Sequence, residues 1–264
     1  MKILVKVGGT LLEEDAIRTR LAGQLAAAIQ QNELVVVHGG GRQMTRYLEE
    51  RGVSSRFVNG LRVSDEAVID AASKVIAGSV NKQLVSALAA AGQLAVGLSG
   101  VDGRLTDATL KDPALGFVGH PERSNGKLLN LLVAHGYLPV VACIAGDENG
   151  TIYNVNADQM AVSCAIGFEA RQLIFLTDVP GVRDSAGQVL DQLTSRDISG
   201  LIESGVAHGG MRAKLEAAAH ALESGIEEVV IAPGLLPDVF TTLLAGQHIG
   251  TRLLPGTPER AAAR

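Results

Sequence analysis

The sequence predicts an α/β fold, a three-layer αβα sandwich around a mainly parallel central sheet. Three observations carry that expectation. Strand-like apolar runs alternate with helical patterns along almost the whole chain, which is the signature of repeated βαβ units. The runs are rich in β-branched residues, as in residues 34–37 (LVVV), and such side chains pack well on a pleated surface. No linker, internal repeat or low-complexity segment divides the 264 residues. A single domain over 1–264 is therefore expected, with any lobes sharing one continuous sheet.

Taken in order, residues 3–7 read as the first strand. A helix over 13–31 follows, because Ile17, Leu21, Leu25 and Ile29 recur at helical spacing. Residues 34–37 form the second strand, and after Gly39, Gly40 and Gly41 a helix runs through 44–51. A long helical stretch over 65–91 leads to a strand at 94–98. The segment 106–125, rich in Gly, Pro, Asp and Asn, is expected to hold a hairpin or excursion outside the main sheet. Helices at 126–134, 158–167 and 213–224 then alternate with strands at 138–144, 172–177 and 228–231.

Composition bounds the function. A hydrophobic fraction of 47% indicates a folded globular chain, and a net charge of −5 argues against nucleic acid or an anionic membrane as the main partner. Cys143 and Cys164 sit alone in apolar stretches, with no CxxC spacing, and read as small buried hydrophobes. The first apolar run is interrupted by Lys6 and then by glycine, unlike a signal peptide. No stretch approaches the ~18 apolar residues of a membrane span. A cytoplasmic protein is expected.

Glycines gather where the strands end: Gly8 and Gly9 after the first, Gly39 to Gly41 after the second, Gly97 and Gly100 around a later one. Open α/β sheets bind ligands beyond the carboxyl ends of their strands. A glycine turn leading into a helix offers unpaired N–H groups and the positive end of a dipole, which favours phosphate. Each pair read alone is equally a tight turn. Neither GxxxxGK[ST] nor a GxGxxG after the first strand is present, so a phosphate would be held another way.

Three charged residues stand beside these turns. Lys6 interrupts an apolar strand two residues before Gly8; it would snorkel to solvent on an edge strand or contact phosphate beside the turn. Lys214, four residues after another Gly-Gly, is an ordinary helix lysine or a second such cation. Asp158 precedes an apolar helix, where a plain N-cap role is open to it.

The motifs KVGG (6–9), VVHGGG (36–41), NGLRVS (59–64), NVNADQ (154–159), LTDVPGV (176–182) and GGMRAKL (209–215) together resemble the amino-acid kinase family. Within it the likeness is to members acting on N-acetyl-L-glutamate. The motifs come in the family's order, from Lys6 to GTRL at 250–253. The resemblance implies the family's fold and ATP-dependent phosphorylation of the substrate's side-chain carboxylate, with Mg²⁺, as a step of arginine biosynthesis. It implies that Lys6 and Lys214 neutralise phosphate charge and that Asp158 orients both. Gly8, Gly9 and Gly39 would bind the phosphoryl group through N–H donors. Gly40, Gly41, Arg62 and Asn154 would hold the acyl amino acid. Asp178, Val179, Pro180, Gly181, Val182 and Arg183, with Val206, Ala207 and His208, fall where the family holds the nucleotide. Lobes near 1–150 and 151–264 would serve the acyl amino acid and the nucleotide respectively.

The chemistry agrees with that cast. A γ-carboxylate, with a reference pKa of about 4.3, is already a nucleophilic anion at neutral pH and needs no general base. Phosphoryl transfer is then positioning and charge stabilisation, which two ammonium groups, backbone dipoles and Mg²⁺ supply. An arginine fork suits a carboxylate.

Two departures from the family pattern stand out. Arg42 follows the triple glycine where many relatives carry proline, as an added cation or a turn cap. The segment GHPERSNGKLL (119–129) fits weakly. Two rival readings are a kinase for carrier-linked aminoadipate and a silent regulatory kinase-like domain. The resemblance further implies a homodimer built through the N-terminal half. Arginine-inhibited members carry an extra helix ahead of the first strand. Only Met1 and Lys2 stand there in this sequence, so insensitivity to arginine is expected.

Overall fold

Strands sandwiched between two helical layers must be apolar on both faces, and the first two strands meet that demand. The computed structural model describes residues 1–58 and 60–256. It opens with β1 (Lys2–Val7), α1 (Asp15–Ala28), β2 (Glu33–His38) and α2 (Gly41–Glu49). A small hairpin, β3 (Phe57–Val58) and β4 (Leu61–Arg62), precedes α3 (Glu66–Ala72). A π-wound segment, Ser73–Val80, joins α3 to α4 (Asn81–Ala90), and β5 (Ala95–Ser99) follows. Next come β6 (Thr106–Leu110), β7 (Val118–Ser124), α5 (Gly126–Ala134), β8 (Leu138–Ala142), β9 (Ile144–Gly146) and β10 (Ile152–Val155). The rest comprises α6 (Ala157–Phe168), β11 (Gln172–Thr177), β12 (Gln192–Thr194), α7 (Ser195–Glu203), α8 (Gly209–Glu223), β13 (Glu228–Pro233), α9 (Val239–Leu244) and β14 (Thr251–Leu254). Asn59, which opens the NGLRVS motif, and residues 257–264 of the polar tail lie outside the described residues.

Eight strands form the main sheet in the order β12-β14-β13-β11-β1-β2-β8-β5. Every pairing is parallel except β13 with β14. Helix α1 packs against α4 and α9, while α6 packs against α5 and α8, giving two helical layers over the sheet. β1 lies near the middle, and Ile3, Leu4, Val5 and Val7 are fully buried. Being central, it gives Lys6 no edge from which to snorkel, and the residue is buried. That removes one of the two readings open in the sequence.

The excursion expected at 106–125 is present. β6 and β7 pair antiparallel and close into a four-stranded barrel with β9 and β10. The apolar run at 138–144 is not one strand. It breaks at Cys143, so β8 stays in the main sheet while β9 joins the barrel. The 65–91 stretch is helical throughout, but its middle carries i→i+5 bonds, a winding that clusters at functional sites. Helices α2 and α8 begin three and four residues earlier than their apolar spacing indicates, at Gly41 and Gly209.

Two helical glycines differ in the room they leave for a side chain. A Cβ on Gly126, at the start of α5, would lie 1.6 Å from the Gly167 carbonyl oxygen of α6. Gly23, inside α1, has nothing within 4 Å of that position. Gly126→Ala should therefore destabilise the fold by about 1–3 kcal/mol through overpacking. Gly23→Ala should stabilise it by about 0.5–1 kcal/mol through helix propensity. Thermal melts of the two variants check the opposite signs.

Candidate active site

The site begins with backbone. β1, β2 and β11 are neighbours in the sheet, so the turns leaving their carboxyl ends meet at one edge. A Cβ on Gly9 would sit 3.2 Å from the Gly40 nitrogen and 3.3 Å from the Gly41 nitrogen. The body that comes too close for a side chain is thus the opposite glycine turn. The Gln43 Nε2 donates to the Gly9 carbonyl at 3.0 Å and ties the two turns together.

The amides of these glycines are not equivalent. Gly8 N–H donates to the Leu176 carbonyl at 2.9 Å, and Gly39 N–H to the Val7 carbonyl at 3.4 Å. Those two donors extend the sheet, which narrows the expectation that both face a phosphate. Gly9, Gly40 and Gly41 have no backbone acceptor among the described residues. Gly41 also opens α2, so the helix dipole reinforces its N–H. Three donors therefore remain for an anion.

Beside them lies a buried carboxylate between two ammonium groups. Asp158 Oδ1 is 2.7 Å from Lys6 Nζ, and Oδ2 accepts from Lys214 Nζ at 3.1 Å. The side chains of Asp158 and Lys6 are 7% and 8% exposed, and that of Lys214 17%. Burial alone would raise the Asp158 pKa, but the Lys6 and Lys214 charges outweigh it and hold the carboxyl below the ordinary range. The N-cap role open to Asp158 belongs to Asn156, whose Oδ1 accepts from the Asp158 and Gln159 N–H groups at 2.9 and 3.2 Å. With the cap supplied two residues earlier, the carboxylate is free for the lysines. Lys214 is likewise not an ordinary exposed helix residue.

Arg62, at the end of the β3–β4 hairpin, reaches the same turns from the other side. Its Nη2 donates to the Gly41 carbonyl at 3.1 Å and to Thr45 Oγ1 at 2.6 Å, and its Nη1 to Ser55 Oγ. The guanidinium lies 4.6 Å from the centre of the Phe57 ring. Burial lowers its pKa, with Glu49 partly opposing. Asn154 Nδ2 donates to Ser64 Oγ, which in turn donates to the Arg62 carbonyl. Arg62 and Asn154 line one cavity of about 170 Å³ together with Gly39, Gly40 and Gly41.

The segments expected to meet a nucleotide divide by exposure. Gly181, Val182 and Ala207 are buried, and Val182 N–H is held by Thr251 Oγ1 at 2.9 Å. Asp178, Val179, Pro180, Arg183 and His208 are exposed, and Val206 is half-buried. His208 precedes α8, the helix that carries Lys214. Among the described residues Arg42 caps no turn; it spans Glu13 at 3.5 Å and Asp178 at 3.8 Å. Sequence reasoning missed three residues here: Asn156 as the cap, Gln43 as the tie, and His38, buried directly before the glycines. The signal for Asn156 was its position two residues before Asp158, the spacing of a capping side chain.

An α/β sheet that ends in paired glycine turns, beside two lysines sharing one carboxylate, gathers free N–H donors and cations at its strand ends. The chain belongs to the amino acid kinase family, whose pattern matches residues 1–233. It is 56% identical over 255 residues to an acetylglutamate kinase of Solibacter usitatus, covering 96% of this chain and 99% of the relative. It is 42% identical over 261 residues to an acetylglutamate kinase of Koribacter versatilis, with 96% and 99% covered. Among solved structures, an N-acetylglutamate synthase from Neisseria gonorrhoeae, complexed with coenzyme A and N-acetyl-glutamate, superposes with a TM-score of 0.85. At 23% identity, over 97% of this chain and 60% of that one, it shares the fold.

Cys143 lines the cavity, yet it and Cys164 are buried and free. Burial pushes both thiols up to about 11. At pH 8 the native protein should react with neither Ellman's reagent nor iodoacetamide, because the thiolate is the nucleophile. Denaturation should release both thiols, and a native reaction would show the cavity floor to be open.

Proposed function

We propose that the protein is a cytoplasmic kinase that transfers the γ-phosphoryl group of ATP to the side-chain carboxylate of N-acetyl-L-glutamate. The products are N-acetyl-L-glutamyl 5-phosphate and ADP, in arginine biosynthesis. The names of its relatives support this acceptor. The observation that carries the reading is the Asp158 carboxylate held between Lys6 and Lys214 beside the glycine turns. A silent binding domain has no need of two ammonium groups gathered on one buried carboxylate.

In this reading the acceptor carboxylate attacks unaided, being already ionised. What opposes the reaction is repulsion between an anion and a polyanion. Lys6 and Lys214 offset that charge, and Asp158 fixes where they stand. The N–H groups of Gly9, Gly40 and Gly41 receive the transferring phosphoryl group and the acyl substrate, and Gly8 and Gly39 shape the turns. Arg62 and Asn154 hold the substrate's α-carboxylate and amide. The nucleotide lies along residues 178–183 and the start of α8, with Val206, Ala207 and His208. A Mg²⁺ arriving with ATP would be held chiefly by phosphate oxygens and water, since the Asp158 carboxylate is engaged by both lysines.

The acyl amino acid falls to a lobe near 1–150 and the nucleotide to one near 151–264. The protein works as a homodimer in this reading. The edge strand β5 supports it: it has one neighbour in the sheet, and Leu94 just before it is 64% exposed, with Leu131 and Tyr137 exposed on nearby elements.

A coupled ADP-release assay tests the reaction by comparing N-acetyl-L-glutamate with glutamate, aspartate, carbamate and carrier-linked aminoadipate. Preference for any of the last four would replace the acceptor named here. In the same assay, Lys6→Ala and Lys214→Ala should each lower kcat by roughly 10²–10³-fold, the scale of losing one transition-state donor. Near-normal turnover of either variant removes that lysine from the mechanism. Arg62→Lys should raise the KM for N-acetyl-L-glutamate by about tenfold or more, because a fork becomes a point charge, and leave that for ATP within about twofold. Equal changes in both constants would take Arg62 out of the acceptor pocket.

A further inference from the structure

His38 ends β2 immediately before the three glycines and is fully buried. Its Nδ1 lies 2.8 Å from the Gly39 carbonyl oxygen. A carbonyl only accepts, so Nδ1 carries the proton and Nε2 is left as an acceptor. Asn81 completes the arrangement. Its Nδ2 donates to His38 Nε2 at 3.0 Å and to the Val140 carbonyl of β8 at 2.9 Å, while its Oδ1 accepts from Lys82 Nζ at 3.2 Å. Each group has one consistent role, so the tautomer is fixed by its neighbours. Burial, with the Lys6 and Lys82 charges behind it, outweighs the Gly39 bond and lowers the imidazole to about 4, which keeps it neutral.

The consequence follows from the peptide bond. It is planar and trans, so the N–H of Gly40 points opposite to the carbonyl of Gly39. Clamping that carbonyl to a buried ring turns the Gly40 N–H the other way, toward the Gly9 turn and the cavity. The helix supplying Asn81 also braces the loop. Ile76 and Val80 of the π-wound segment would lie 3.3 and 3.4 Å from a Cβ on Gly40, and Asn81 follows directly. The wide turn thus touches the loop and presents the amide that holds the histidine.

We propose that His38 is a positioning residue for phosphoryl transfer, acting through the Gly39 carbonyl to aim the Gly40 N–H at the transferring group, with Asn81 holding the ring in place. The proposal rests on the kinase reading given above. Two peptides further on, Arg62 holds the Gly41 carbonyl in the same way, so the loop is braced from two sides.

Two substitutions separate the two halves of the histidine. By chain length, the amide of His38→Asn takes the place of Nδ1 and can keep the Gly39 bond, but cannot reach Asn81. The amide of His38→Gln takes the place of Nε2 and can keep Asn81, but leaves the Gly39 carbonyl unheld. His38→Gln should lower kcat by roughly 10- to 100-fold, within the range of a lost oxyanion donor, with both KM values within about twofold. His38→Asn should recover most of that turnover, although both variants melt earlier than the parent. A structural role alone would move both melting points and leave the two kcat values alike, and that result overturns the proposal. Long-range ¹H–¹⁵N spectra of the unsubstituted protein give a readout that needs no variant. They should show His38 as the Nδ1–H tautomer, and an Nε2–H tautomer overturns the proposal. Unsubstituted protein that turns over no N-acetyl-L-glutamate overturns the kinase reading and this proposal with it; an active His38→Gln variant overturns this proposal alone.

Discussion

A carboxylate buried between two ammonium groups is the interaction on which the arrangement of this molecule depends. Taking an unpaired carboxylate out of water costs several kcal/mol, and removing one partner from a buried pair is destabilising by about 3–5 kcal/mol. Asp158 is tolerated in the interior only because Lys6 and Lys214 arrive from different elements and reach its two oxygens separately. Lys6 comes from the central strand, Asp158 from the first turn of α6, and Lys214 from α8. The ionic group therefore fixes the relation of the sheet to both helices, and it places two cations at the strand ends with their charge only partly neutralised. Two positive charges share one negative one, and an incoming anion completes the balance.

The second constraint is how the neutral donors are aimed. Glycine turns supply close approach, but glycine is also the residue with the most freedom to lose. Left alone, the loop at 39–41 would sample many peptide orientations and present its N–H groups poorly. The carbonyls that precede those donors are held instead: Gly39 by His38, Gly40 by the Met44 N–H at 2.9 Å, and Gly8 by the Leu11 N–H at 3.0 Å. Holding the acceptor side of a peptide fixes its donor side, so orientation is settled before any ligand binds. That is the condition under which electrostatic stabilisation carries no reorganisation penalty during reaction.

These features were unequally legible in the sequence. The long buried strands were plain, since continuous apolar runs follow from burial on both faces. β10, β12 and β14 were not, because three or four residues are too few for an alternating pattern to stand out from its surroundings. The π-wound segment was invisible for a different reason: one extra residue per turn barely disturbs an apolar pattern over eight residues. At the site, the lysines and Asp158 were recognisable by their motifs, yet the route by which Asp158 escapes capping duty was not. It turns on Asn156, a residue whose chemistry at that position suits either role. Gly8 and Gly39 looked equivalent to their neighbours in sequence, and only the sheet register shows that their N–H groups are already bonded. His38 was passed over because the sequence does not reveal that its ring faces inward, and a reaction needing no base gives no reason to look for one.

Arg42 shows how a departure from a family pattern acquires meaning from geometry. Its guanidinium spans Glu13, beyond the first glycine turn, and Asp178, at the end of β11. The side chain is 64% exposed and the separations are 3.5 and 3.8 Å. An ion pair so wet adds about 0–1 kcal/mol at most and is screened by salt. Its weight lies in charge and not in stability. Glu13 is already paired with Arg46 at 2.7 Å, so Arg42 is the surplus cation of that group, and Asp178 is its weaker partner. Under the kinase reading proposed above, a polyanion at the strand ends would compete with Asp178 for it on favourable terms, since a carboxylate carries less charge than a phosphate chain. An arginine here therefore adds to the positive field beside the turns, and a proline at the same position supplies no charge at all.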